Sequence, residues 1–109
     1  MGAWIKLKAG DGFELSAWRA EPPGAPRGGL VVVQEIFGVN AHIRSVADGF
    51  ALDGYLAIAP AIFDRVEPGF DVGYELETMA RGAALARSLS REVIQLDVAA
   101  AIENRRRDR

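Results

Sequence analysis

The run Leu30-Val31-Val32-Val33 most constrains the fold, because four consecutive apolar residues, three of them β-branched, fit a strand buried on both faces. A sheet with one wet face alternates apolar and polar side chains, and this run does not. The pattern therefore predicts a parallel strand over residues 29–34 that is covered by helices. Glu35 follows directly, and a carboxylate at the mouth of an apolar strand is costly unless a site uses it.

A helix and a second apolar strand follow, which predicts a βαβ unit over residues 29–60 that includes the candidate site loop. Asn40 is a favourable N-cap, and Gly54 suits the C-terminal cap. Between them, apolar residues recur with helical spacing at Ile43, Val46, Ala47, Phe50 and Ala51. Residues 55–59 form the second strand, which Pro60 stops. The crossover between the strands is expected to be right-handed.

Alternating residues and a glycine-containing turn before this unit predict an antiparallel hairpin within residues 1–20. Residues 61–72 are interpreted as a loop, and apolar spacing predicts two helical segments within residues 73–105. We expect one partial α/β domain over residues 1–109. Its sheet would be incomplete, with an open apolar edge, since no strand follows the last helix.

Composition favours a globular protein, because half of the 109 residues are hydrophobic and 26% are charged. A net charge of −2 gives no reason to expect a nucleic-acid partner, and the basic run 105–109 suits a helix C-terminus. No signal peptide or membrane span is recognisable, so a soluble cytoplasmic protein without a membrane partner is expected. The absence of cysteine and the single histidine, His42, argue against a thiolate nucleophile or a metal site in this sequence.

The segment from Val31 to Arg65 carries a specific series of motifs. They are Gln34-Glu35-Ile36-Phe37-Gly38-Val39-Asn40, His42-Ile43-Arg44, Gly54-Tyr55, Ala59-Pro60 and Phe63-Asp64-Arg65. This segment resembles the dienelactone hydrolase (carboxymethylenebutenolidase) family, a branch of the α/β-hydrolases that uses a Cys-His-Asp triad. The resemblance extends from about Ile5 to Ile102. It implies the N-terminal half of an α/β-hydrolase-type fold, with an incomplete, mainly parallel sheet after an antiparallel hairpin.

The resemblance also implies roles for individual residues. Glu35 would interact with a nucleophilic thiol and help to form the thiolate, and the backbone N–H of Ile36 would help to bind the oxyanion. Arg81 is a weaker candidate for holding a substrate carboxylate. The implied substrates are small lactones or esters, and no cofactor is implied.

Other polar residues near the motif admit two interpretations each. Arg44, Asp64 and Arg65 could contact substrate, but salt bridges, solvation or local backbone hydrogen bonds are favoured. His42 is favoured as a first-turn helix residue rather than a base. Trp4 and Trp18 are interpreted as packing residues of the hairpin.

The sequence departs from the family at the catalytic centre. It contains no nucleophile elbow, its serines lack flanking glycines, and His42 lies too early in the chain to be the triad base. We therefore expect a truncated hydrolase that is inactive alone. The alternative is a non-enzymatic half-domain that pairs with itself or with a complementing chain through the open sheet edge. A remnant without a selected role is a third hypothesis.

Overall fold

The computed structural model describes residues 2–107, with side chains as far as Asn104. Its elements are β1 (Ala3–Lys8), β2 (Glu14–Ala20), β3 (Gly29–Val31), α1 (Ala41–Leu52), β4 (Leu56–Pro60), a 3-10 helix (Ile62–Arg65), α2 (Leu76–Ser88) and α3 (Arg91–Arg107).

The four strands form one open sheet in the order β1-β2-β4-β3. β1 pairs with β2 and β2 pairs with β4 in antiparallel register, whereas β3 pairs with β4 in parallel. The expected hairpin and parallel pair are both present, but the sheet over residues 2–107 is mixed rather than mainly parallel. The reason is that the hairpin strand β2 adds directly to β4, so antiparallel pairs make up one side of the sheet.

β3 is shorter and less buried than the sequence predicts for residues 29–34. Its pairing with β4 ends where the Val32 N–H donates to the Ile58 carbonyl at 2.9 Å, and Val33 is 55% exposed. β4, by contrast, is buried along its whole length. The difference follows from position, since β4 lies between two strands, whereas β3 has a neighbouring strand on only one side within residues 2–107.

Helices cover both faces of the sheet. Neighbouring residues of a strand point to opposite faces, and in β4 Ala57 packs in the cluster of α1, whereas Ile58 packs with Ala101 of α3. The predicted cap of α1 is confirmed, because Asn40 Oδ1 accepts a hydrogen bond from the Ile43 N–H at 3.1 Å. This helix therefore starts directly after the motif that follows β3.

The segment interpreted as a loop, residues 61–72, contains the 3-10 helix and is largely buried at its start. The rings of Phe63 and Phe70 meet edge to face, with centroids 5.5 Å apart. Leu85 of α2 and Ile94 of α3 pack against this pair. The aromatic pair provides the apolar contact that the two later helices need, and it thereby brings α2 beside the candidate site.

Candidate functional site

The site loop, residues 34–40, connects the carboxyl end of β3 to α1. Gln34 is buried at its start, and both ends of its amide are used. Its Oε1 accepts from the Ile62 N–H at 3.1 Å, and its Nε2 donates to the Glu35 carbonyl at 3.0 Å. The side chain therefore ties the site loop to the 3-10 helix that follows β4.

Gly38 allows the site loop to pass close to the segment before α2. It adopts a φ of +83°, and a Cβ atom at this position would overlap the Phe70 carbonyl oxygen. On either side of this approach, Gly38 bridges to Asp71 and the Val72 N–H donates to the Phe37 carbonyl at 3.2 Å. Only glycine combines this backbone conformation with this contact.

Gly82 provides a second close approach, between α2 and the site loop. A Cβ atom on Gly82 would overlap the Ile36 carbonyl oxygen, so the helix backbone packs directly on the peptide at Ile36. The site loop is thus held by the 3-10 helix, by residues 70–72 and by α2. These supports fix the orientation of the Ile36 peptide.

Glu35 and Ile36 occupy the part of the site loop that remains open. The Glu35 side chain is exposed and Ile36 is half-buried. Within residues 2–107, neither the Glu35 carboxylate nor the Ile36 N–H is hydrogen-bonded to another protein group. A carboxylate and an N–H donor are therefore both available on neighbouring residues of a braced loop. An acid–base group and an oxyanion donor each need to be held in place in this way and to have no other partner.

Arg81 lies on α2, one residue before Gly82. Its Nη2 atom is 2.6 Å from Glu67 Oε2, and its guanidinium carbon lies 5.3 Å from the centroid of the Phe70 ring. In this arrangement its charge is paired with a carboxylate from the preceding loop. Its role as a substrate anchor stays a prediction.

The loop after β4 uses its charged residues for structure. Asp64 is buried and accepts hydrogen bonds from the Ser16 N–H at 2.8 Å and the Gly69 N–H at 3.1 Å. This agrees with the backbone-bonding interpretation of Asp64. One carboxylate thereby joins the start of β2 to the segment before α2.

Arg65 is mostly buried and forms salt bridges with the buried Asp97 of α3 and with the exposed Asp11 of the hairpin turn. Its Nη2 is 2.9 Å from Asp97 Oδ1, and its Nη1 is 2.8 Å from Asp11 Oδ2. The hydrogen bond from Arg65 holds the pKa of Asp11 below its ordinary value, and the two carboxylates raise the pKa of Arg65. The salt-bridged interpretation of Arg65 is confirmed.

The other candidates lie on the helix side of the site loop. His42 is exposed in the first turn of α1. Arg44 donates to the Val39 carbonyl at 2.8 Å and pairs with Asp71 at 2.9 Å. Its guanidinium carbon also lies 5.6 Å from the Trp4 ring and 5.7 Å from the Trp18 ring. The salt-bridged interpretation of Arg44 is therefore confirmed as well.

Tyr74 is a neighbour of the site loop that the sequence analysis did not single out. Its ring meets Phe37 edge to face at 4.4 Å between centroids, and its hydroxyl accepts from Asn40 Nδ2 at 3.3 Å. Leu76, which is 83% exposed, and Met79 also present apolar surface on α2. No periodic signal marks Tyr74, because it precedes the helix and is held through contacts with residues more than 30 positions away.

Two kinds of feature are absent from the part of the chain that the structure describes. No group of three or more histidine, cysteine, aspartate or glutamate side chains there could hold a metal ion. No helix there is long and apolar enough to cross a membrane. The side chains of the basic run 105–109 lie outside the described residues.

Comparison with known proteins gives consistent matches. The model of the dienelactone hydrolase family matches residues 15–108. A Synechocystis protein (strain ATCC 27184 / PCC 6803 / Kazusa) named provisionally as a carboxymethylenebutenolidase is 43% identical over 91 residues, which cover 83% of this chain and 37% of the relative. The carboxymethylenebutenolidase of Pseudomonas putida is 37% identical over 65 residues, or 60% of this chain and 28% of that enzyme.

A solved structure gives the same result for the fold. The crystal structure of a provisionally named dienelactone hydrolase from Klebsiella pneumoniae subsp. pneumoniae MGH 78578 superposes with a TM-score of 0.78 at 26% identity. The match covers 99% of this chain and 45% of that chain. The chain thus has the α/β-hydrolase fold over its described residues and spans less than half the length of the relatives it matches.

Proposed function

The chain belongs to the dienelactone hydrolase family, and from that premise we propose that it supplies Glu35 and the Ile36 N–H to the site of a hydrolase of small lactones or esters. The observation that carries the proposal is that the Glu35 carboxylate and the Ile36 N–H, both without a hydrogen-bond partner in the described residues, lie next to each other on one braced loop at the carboxyl end of β3. Ligands of open α/β sheets bind at this edge. The substrate class comes from the family resemblance.

In the proposed reaction, a cysteine thiol outside this sequence is the nucleophile. The Glu35 carboxylate accepts its proton, and the thiolate attacks the acyl carbon of the lactone or ester. The carbonyl oxygen becomes an oxyanion, which accepts a hydrogen bond from the Ile36 N–H. The carbon–oxygen bond of the leaving group then breaks, the alkoxide takes up the proton that the thiol lost, and water hydrolyses the resulting thioester to release the acid and the thiol. One oxyanion donor lowers the barrier by roughly 3–4 kcal/mol.

The 109-residue chain alone is proposed to be inactive. It contains no cysteine, and in this fold the second oxyanion donor comes from the residue after the nucleophile. A carboxylate and one N–H group then have no thiol to activate and no covalent intermediate to stabilise. Removal of triad members from hydrolases typically lowers turnover by several powers of ten.

A complementation assay tests this function. The chain is mixed with a fragment of a family member that carries the nucleophile, acid and histidine, and hydrolysis of a chromogenic ester is followed. We expect activity only in the mixture, abolished by Glu35→Gln but not by the matched change Glu77→Gln at an exposed position of α2. Ester hydrolysis by the chain alone, or full activity of the Glu35→Gln mixture, would contradict the proposal.

A second candidate function is pairing through β3. The Leu56 N–H donates to the Gly28 carbonyl and the Val32 N–H donates to the Ile58 carbonyl. Because positions bonded to the neighbour alternate along a parallel strand, the backbone groups of Gly29 and Val31 point away from β4. Val31 and Val33 therefore present their N–H groups to the open edge. Half-buried apolar residues on such an edge favour addition of another strand, from a second copy or a complementing chain.

Val33→Pro tests pairing because it removes an outward-facing N–H without removing a hydrogen bond to β4. Sedimentation velocity should show a discrete dimer for the parent chain and for Val33→Ala, and a monomer for Val33→Pro. A parent chain that is monomeric at all concentrations would exclude self-pairing. A dimer that persists in Val33→Pro would place the interface elsewhere.

A further inference from the structure

A cavity of about 330 Å³ lies between the hairpin, the end of the site loop and the segment before α2. Trp4, Val39 and Asp71 line it and belong to these three parts in that order. The Val39 side chain packs with Ala59 of β4, but toward Trp4 the space leaves the loop without a close-packed neighbour. Contact between β1 and the site loop therefore depends on a side chain that reaches across this space.

Arg44 of α1 is that side chain. Its Nη1 donates to the Val39 carbonyl at 2.8 Å and to Asp71 Oδ2 at 2.9 Å. Its guanidinium carbon lies 5.6 Å from the centroid of the Trp4 ring and 5.7 Å from that of the Trp18 ring. One cation thus contacts the hairpin, the site loop and the segment before α2, and the ring faces of the hairpin attract it.

The Val39 carbonyl depends on this donor because of its position in the chain. It comes just before the N-cap Asn40, whose own carbonyl accepts the Arg44 backbone N–H at 2.9 Å. Within residues 2–107 no backbone N–H donates to the Val39 carbonyl, and Val39 is buried. The Arg44 guanidinium therefore satisfies an acceptor that the helix leaves without a partner.

The anchored end of the site loop lies next to the turn that carries the proposed oxyanion donor. The Gly38 N–H donates to the Glu35 carbonyl at 3.3 Å, which closes a turn over residues 35–38. The Glu35 carbonyl and the Ile36 N–H belong to one planar peptide, so the partners of the carbonyl fix the direction of the N–H. Val39 follows Gly38 directly, and a shift of the Val39 carbonyl would pull the Gly38 N–H away from its acceptor.

From these contacts we propose that Arg44 is a positioning residue, which holds the end of the site loop so that the Ile36 N–H keeps its direction toward an oxyanion. Arg44 acts through Val39 and Gly38 and touches no substrate. A displacement of about 1 Å at a reacting centre can lower turnover about 100-fold, so a small movement of this turn has a large effect. The kinetic part of this inference rests on the proposed hydrolase function, whereas the order of the loop is a property of the chain alone.

Nuclear magnetic resonance on the full 109-residue chain tests the order of the loop. Arg44→Met keeps an apolar stem against the two indole rings but removes the donor to Val39. Amide hydrogen exchange at Gly38 should become about tenfold faster, because its bond to Glu35 opens more often. The order parameter of the Ile36 N–H should fall below the value of about 0.85 that is typical of rigid backbone.

Arg27 offers a matched control at the amino end of β4. Its guanidinium carbon lies 5.1 Å from the centroid of the Tyr55 ring, and its Nη1 donates to the Asp53 carbonyl at 3.2 Å. Arg27→Met therefore removes the same two kinds of contact away from the site loop, and it should leave the exchange of Gly38 unchanged. Unchanged exchange at Gly38 in Arg44→Met, or equal acceleration in Arg27→Met, would overturn the proposal.

Kinetics of the complementation mixture separate positioning from a purely structural role. With Arg44→Met in the mixture, kcat should fall about tenfold and KM should change by less than about twofold, because the lost contact acts in the transition state. A raised KM with unchanged kcat would contradict the proposal. Inactivity of the mixture that contains the parent chain would refute the proposed function, and the exchange of Gly38 would then decide the role of Arg44.

Asp71→Asn is the second variant, for the case that Arg44→Met does not fold. Asp71 is exposed, and the change weakens the tie to Arg44 without leaving a buried group unpaired. It should accelerate exchange at Gly38 in the same direction by a smaller factor. Unchanged exchange at Gly38 in the folded Asp71→Asn chain would also overturn the proposal.

Discussion

Two loops leave the carboxyl ends of the parallel strands β3 and β4, and they differ in what their charged residues contact. After β4, Asp64 bonds to two backbone N–H groups, and Arg65 bonds to Asp97 and Asp11. After β3, Glu35 has no such partner within the described residues, although the backbone around it is held tightly.

The comparison separates charges that are bonded within the fold from a charge that remains available to a ligand. A buried charge without a partner destabilises a fold, and in the loop after β4 Asp64 is held by hydrogen bonds from backbone N–H groups and Arg65 by two carboxylates. Glu35 avoids that cost by remaining exposed, and it gains a fixed position from Gln34, Gly38 and Gly82 instead. This arrangement explains how a carboxylate can follow an apolar strand. Its backbone is part of the fold, whereas its side chain is free for chemistry.

The largest effect on the free energy of unfolding is expected for Asp97→Ala, which removes the salt bridge that holds Arg65 of the loop after β4. Asp97 has no exposed surface, and its loss leaves the mostly buried Arg65 with Asp11 alone. Removing one partner of a buried ion pair costs about 3–5 kcal/mol. Urea unfolding should show a decrease in the free energy of unfolding of that size, whereas Asp53→Asn at the exposed end of α1 should change it little. A decrease below about 1 kcal/mol would mean that water reaches the pair.

Gln34→Leu should have the next largest effect, because it removes the tie between the two loops. The variant replaces the buried amide with an apolar side chain of similar size and leaves the Ile62 N–H without its acceptor. An unsatisfied buried donor costs about 1–3 kcal/mol. Hydrogen exchange should also accelerate at Ile62. Gln34→Glu, which preserves an acceptor for this N–H, serves as the comparison, and equal exchange rates in both variants would argue against the tie.

A smaller, pH-dependent effect is expected for Asp11→Asn. Because the folded-state pKa of Asp11 lies below its ordinary value of 3.8, its contribution to stability is present above that value and is lost as pH falls through the folded pKa. The parent should therefore be more stable than the variant near pH 6, and the difference should shrink below pH 3.8. If the stability difference between the parent and the variant stays constant over this pH range, the bond between Asp11 and Arg65 does not contribute to the pH dependence of stability.

The smallest effect on stability is expected for Glu35→Gln. An exposed side chain without a partner should change the free energy of unfolding by less than about 0.5 kcal/mol. Denaturation midpoints of the variant and the parent should coincide. A loss above about 1 kcal/mol would place Glu35 among the structural charges and remove the contrast between the two loops.

Local signals in the sequence predicted much of this fold. The Asn40 cap, the spacing of Ile43, Ala47 and Ala51, and the apolar strand β4 all depend on residues close together in the chain. The motif around Glu35 marks a candidate site because it follows a strand directly, and its role in a site stays a prediction. These features arise from capping geometry and periodic burial, which a single sequence displays.

The remaining features depend on partners that are distant in sequence. Arg65 meets Asp97 across 32 residues, and Asp64 meets the Ser16 N–H across 48. No local pattern specifies such pairs. The short β3 has the same origin, since the apolar run predicts a buried strand but cannot show which side of it has a neighbour. The mixed sheet follows likewise from where the hairpin docks.

The contact between Gly82 and the Ile36 carbonyl has a consequence for protein engineering. Transplanting α2 from another family member would succeed only if a residue without a side chain arrives opposite Ile36. A graft displaced by one position would bring Arg81 or Ala83 to that place and push the loop out of shape. The helix can therefore be replaced only in the alignment that keeps a glycine at position 82. Libraries that vary the outer face of α2 should leave this glycine unchanged.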